Sequence, residues 1–130
     1  MGNITEKFQK ILSEIKASKG DVVLFAIMKI DELTDKWTVI LCASWATEAN
    51  RGEIFKFTKG LLDGHLDSEE RKSIARIGIF RKEDHIIQAL LDFKSETKIS
   101  EDTQINGSLV HEAYIFASNR EDKVVEEEKE

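Results

Sequence analysis

Residues Val22 to Ile30 form a nine-residue run of apolar side chains broken only by Lys29, and a second run, Trp37 to Trp45, follows after the charged stretch Asp31 to Lys36. A connection that short makes the two runs antiparallel neighbours, and their composition places them at the buried centre of a sheet. In the second run Trp37, Val39, Leu41, Ala43 and Trp45 alternate with Thr38, Ile40, Cys42 and Ser44, so the first set faces the more heavily buried side. The first run is apolar on both sides, as in a strand with layers above and below it. A chain built around such a centre needs helices to cover two faces.

The rest of the sequence supplies them. Asn3 and Glu6 have capping-box spacing, and Ile4, Phe8, Ile11, Leu12 and Ile15 recur on one face at 3.6 residues per turn, so a first helix starts near Asn3 and stops at Gly20. Glu48 to Asp63 reads as a second helix with Ile54, Phe57 and Leu61 on one stripe, broadened by Phe55 and Leu62 and ended by Asp63-Gly64. Ser68 to Lys72 reads as one further helical turn, Ile74 to Phe80 as a third strand, and Glu83 to Phe93 as a short helix carrying Ile86, Ile87, Leu90 and Leu91.

Lys94 to Asp102 is a polar connection without evident regularity. Asn106-Gly107 is the strongest hairpin signal in the chain, since both residues accept the positive φ of a type I′ turn. It joins a short strand near Lys98 to Ile105 to a longer one, Leu109 to Ala117. In that last strand Val110, Glu112, Tyr114 and Phe116 share one face, and Leu109, His111, Ala113, Ile115 and Ala117 the other. If the strand lies at a sheet edge, its aromatic face suits self-association; the equal alternative is that the first or fourth helix covers that face.

The expected fold is therefore α+β (mixed α/β): about five strands in a mostly antiparallel sheet flanked by three to four helices, in the order α-β-β-α-β-α-β-β. Residues 1–118 are read as one globular domain, a size at which a core needs no disulfides. Residues 119–130 are read as an acidic, disordered tail. The formal net charge of the 130 residues is −6, and Glu121, Asp122, Glu126, Glu127, Glu128 and Glu130 set against Arg120, Lys123 and Lys129 place half of it there. What remains offers no clustered cations for a nucleic-acid duplex. The longest apolar run falls far short of a membrane span, and the lone Cys42 sits within a strand, so the expectation is a soluble cytoplasmic protein in a reducing compartment.

If the second and third strands are parallel, the loops that follow them leave one end of the sheet side by side. One carries Trp45, Thr47, Glu48, Asn50 and Arg51, and the other Arg81, Lys82, Glu83, Asp84 and His85. Cations beside helix amino termini suit a phosphate or carboxylate, which makes Trp45, Arg51, Arg81 and His85 the candidate ligand-binding residues. Against this, Thr47, Glu83 and Asp84 also read as caps and first-turn acids, and the arginines as solvated.

His85 beside Asp84 and His111 beside Glu112 suggest a metal or a general base, yet sequence neighbours diverge on a helix and point oppositely on a strand. Asp21, Asp31 and Asp35 with Lys29 and Lys36 flank turns, where Asp serves the backbone. No nucleophile elbow, phosphate loop or metal spacing is present in the sequence. The reading is a small interaction or regulatory module, with a homodimer or another protein as partner, no cofactor, no duplex nucleic acid and no membrane. The alternative is a small-ligand or anion-binding domain using the two loops. The reading leans away from an enzyme, while leaving open a site assembled from distant segments.

Overall fold

The computed structural model describes residues 3–30 and 36–119. Its elements are α1 (Asn3–Lys19), β1 (Leu24–Ile30), β2 (Trp37–Cys42), α2 (Arg51–His65), α3 (Ser68–Lys72), β3 (Ile74–Phe80), α4 (His85–Leu90), β4 (Thr97–Ile99), β5 (Thr103–Ile105) and β6 (Ser108–Ser118). The sheet order is β3-β2-β1-β6-β4, with β5 also paired to β6. Only β2 and β3 are parallel, and α2 lies in the connection between them; every other pair is antiparallel. The α+β class, the flanking helices and the mostly antiparallel sheet all match the sequence reading.

Local chemistry sets the element ends. Gly20 closes α1 at φ +113°, a left-handed conformation that favours glycine, and its N–H donates to the Lys16 carbonyl at 3.0 Å. Helix α2 begins at Arg51 rather than Glu48, because Asn50 folds the preceding turn: its Oδ1 accepts from the Thr47 N–H at 2.7 Å and its Nδ2 donates to the Trp45 carbonyl at 2.9 Å. The helix runs past Gly64 to His65, where the Leu66 N–H closes on the Leu62 carbonyl at 2.9 Å. A capping box built from Asp67 and Glu70 starts α3.

Six strands stand where about five were expected. The span Ile99 to Thr103 faces Ala113 to Val110, which leaves three residues opposite two, and that mismatch divides the segment into β4 and β5. The Asn106-Gly107 turn forms as read, with φ of 53° and 82°. Strand β6 lies inside the sheet between β1 and β4, so an edge position for it is corrected. The outer strands are β3 on one side and β4 with β5 on the other.

Two bulges shape β6. Phe25 pairs Ala117 while Ala26 pairs Ile115, and Lys29 pairs Glu112 while Ile30 pairs Val110, so Phe116 and His111 are the extra residues. A bulge shifts the alternation by one residue. Val110 therefore joins Ala113 and Ile115 on the α4 side instead of sharing a face with Tyr114 and Phe116.

The sheet separates two cores. Under α1 and α2, Phe8 stacks on Phe116 at 5.7 Å and tilts against Phe25 at 6.0 Å, amid Ile11, Val39 and Leu41. Helix α1 thus covers the aromatic face of β6. Under α4, Ile87 and Leu90 press on Ala26, Ile40 and Ile115. No described helix is long and apolar enough to cross a membrane.

Candidate functional site

The parallel pairing of β2 and β3 brings the loops after them together, and Arg81 Nη1 lies 4.0 Å from Glu48 Oε2 across the gap. Arg51, Arg81 and His85 line one open cleft of about 590 Å³ there. Trp45 does not line it. Its indole lies over Gly20 and donates from Nε1 to the Asp21 carbonyl at 2.9 Å, which ties the loop after β2 to the turn between α1 and β1.

The cleft is mixed in charge. Glu48, Glu83 and Asp84 share it with the two arginines. Asp84 accepts from the Arg81 N–H at 2.8 Å and approaches the Arg81 guanidinium at 3.5 Å, while Arg51 Nη2 donates to the Ile79 carbonyl at 3.0 Å. An anion bound there would meet three carboxylates beside the two arginines. The α4 terminus adds little, since that helix has six residues.

The histidines are dispersed. His65 Nε2 lies 2.9 Å from Glu14, linking α2 to α1, and His111 Nδ1 lies 2.8 Å from Asp102, not from the adjacent Glu112. Among the described residues no group of three His, Cys, Asp or Glu side chains could hold a metal ion. Cys42 is buried, and burial pushes its thiol up to about 12, far from the range of a reactive thiolate.

The larger concavity lies on the other side of β3. A groove of about 800 Å³ runs between α2 and the outer edge of β3, with Phe55, Ile77 and Ile79 as its apolar surface. Phe55 is 38% exposed, the one large hydrophobic side chain so placed among the described residues. The buried stripe of α2 is Ile54, Thr58 and Leu62, and the Thr58 hydroxyl donates to the Ile54 carbonyl at 2.9 Å, so a polar residue occupies the centre and Phe55 is turned to the flank.

The outer edge of β3 is paired with no described strand. The register skips Ala75 near the start of β3, where Trp37 pairs Ile74 and Thr38 pairs Arg76. Beyond it the Ile79 carbonyl faces outward to Arg51, and strand alternation turns the polar backbone of Ile77 the same way. The rim carries Lys56, Arg51, which donates to the Ile79 carbonyl, and Lys59, which lies 3.4 Å from Asp63, and among the described residues no carboxylate lines the groove. Sequence reasoning missed this surface. Helical periodicity places Phe55 at the margin of a broad stripe on α2, although Thr58 is a sign that the stripe is narrower.

No family model, curated protein or solved structure matches this chain.

Proposed function

We propose that this domain is a polypeptide-binding module, and that an extended acidic segment of a partner protein adds to the sheet beside β3 with its apolar side chains in the groove under α2. The observation that carries the reading is a seven-residue strand at the sheet edge, next to an apolar groove that exposes Phe55. An open strand edge supplies main-chain affinity and a flanking groove supplies side-chain selection, which is the logic of strand addition.

The rim favours an acidic partner over a second copy of the chain. A two-fold antiparallel pairing of β3 with itself would bring Arg51, Lys56 and Lys59 of one protomer towards the same three cations of the other. An acidic segment meets them with the opposite charge.

Fluorescence anisotropy with a labelled peptide alternating glutamate and valine tests this. Binding is expected to weaken with salt, to fall at least tenfold in Phe55→Ser and in the Lys56→Glu, Lys59→Glu double variant, and to vanish when alternate peptide nitrogens are methylated. Undiminished binding of the methylated peptide overturns strand addition. A concentration-dependent dimer mass without peptide binding would transfer the edge to a second copy.

A further inference from the structure

The α4 side of the sheet has a feature that the peptide reading does not use. Helix α4 is six residues long, and its fully buried side chains, Ile87 and Leu90, sit over the middle of the face. Towards β2 and β3 a crevice of about 380 Å³ opens between the sheet, Ile86 and the Asn106 turn. That volume lies at the lower end of the range of small-molecule sites.

Its floor is apolar, made by Met28, Ile30 and Ile40, each buried in the sheet. Gly78 extends the floor. A Cβ at that position would clash with the Phe80 ring, so the missing side chain is what lets this ring lie back along the strand as one wall.

Four polar residues break the apolar lining, Asn106 and Ser108 beside the turn and Thr38 and Arg76 on β2 and β3. Thr38 is only 5% exposed, and its hydroxyl faces Arg76 from the neighbouring strand. Arg76 Nε donates to Thr38 Oγ1 at 3.4 Å, a long bond that places the guanidinium at the crevice and leaves its two terminal nitrogens available. Arg71 and Arg81 both hold carboxylates, whereas Arg76 forms no ion pair among the described residues. An exposed guanidinium anchored at the end of an apolar slot is matched by a planar, singly charged oxyanion.

We infer that this crevice binds a small amphipathic carboxylate, its apolar body along Met28 and Ile40 and its carboxylate on Arg76, with the Thr38 hydroxyl as a further donor. The site lies on the opposite side of β3 from the peptide groove and is independent of it. Only Gly78 borders both.

Methyl NMR of the full chain, titrated with octanoate, octanol and octylammonium, tests the inference. Octanoate is expected to shift the Met28 and Ile40 methyl signals and to leave Ile54 unmoved. Octanol is expected to bind at least tenfold more weakly and octylammonium not at all. Arg76→Gln, an exposed substitution that keeps the fold, is expected to lose at least tenfold in octanoate affinity, and Thr38→Val a smaller factor. Equal binding of octanol, unchanged affinity in Arg76→Gln, shifts confined to Ile54 and Ile77, or a spectrum unmoved at millimolar octanoate would each overturn it.

Discussion

On one face of the sheet, helices of 17 and 15 residues lie over Phe25, Val39 and Leu41; on the other, a helix of 6 residues packs on Ala26, Ile40 and Ile115. The first arrangement interlocks three phenylalanines, with Phe25 and Phe116 at 5.8 Å completing the set that Phe8 joins. The second uses aliphatic side chains under a short cover and leaves a crevice. Long helices consolidate a face, and a short one leaves it able to open locally and to admit a ligand. The heavier face is therefore expected to carry more of the stability, and the lighter face holds the crevice proposed as a carboxylate site.

The largest expected effect tests the heavy face. Phe25 is fully buried and contacts both other rings, so Phe25→Ala is expected to lower the unfolding free energy by about 3 to 5 kcal/mol, measured by urea denaturation. Leu90→Ala is the matched change on the light face, where Leu90 is also fully buried. Its expected loss is about 2 kcal/mol, the lower end for such a truncation, because a short helix beside a crevice can settle into the space it leaves. Equal losses at the two positions would mean that the faces are equally consolidated, and the comparison would fail.

That contrast was partly legible in the chain. The stripe of Ile4, Phe8, Ile11, Leu12 and Ile15 and the alternation from Trp37 to Ala43 are local patterns, and helix and strand periods report them directly. Asn106-Gly107 declared its turn for the same reason. Sheet order has no local signature, and neither do the bulges at His111 and Phe116, which are set by how β6 pairs with β1. Arg51, Arg81 and His85 did converge, yet whether a cation is free depends on its neighbours in space, and those neighbours proved to be Ile79, Asp84 and Glu48. Arg76, free of a carboxylate partner among the described residues, sits mid-strand, where sequence gives it no distinction.

A smaller, sharper test compares adjacent residues on opposite faces. Cys42 belongs to the α4 side and Ala43 to the α1 side. With its thiol pushed up to about 12 by burial, Cys42 should be inert to a disulfide reagent at pH 8 until the cover opens. Labelling of Cys42 is expected through local opening of α4, at a free energy below that of global unfolding. Ala43→Cys in a Cys42→Ala background is expected to react only as the whole domain unfolds. The same rate at both positions would show that the two faces open together.

The smallest effect concerns the ion pair that ties α3 to α1 at the margin of the heavy face, Lys7 Nζ to Glu70 Oε1 at 2.7 Å. The hydrogen bond to Lys7 holds the Glu70 carboxyl below its ordinary 4.5, so its contribution is present above that value and is lost as pH falls through the lower folded one. The hydrogen bond to Glu70 raises Lys7 above 10.5, so its contribution is present below 10.5 and is lost as pH rises through the higher folded value. Glu70→Gln keeps an acceptor for the Asp67 N–H of the capping box and removes the charge. The stability gap between wild type and this variant should therefore be widest between pH 4.5 and 10.5, close towards both extremes, and shrink with salt. Both side chains reach solvent, so the gap should be a small fraction of the Phe25→Ala effect at any pH. A gap of comparable size would place part of the heavy face's advantage in its charged margin rather than in its packed rings.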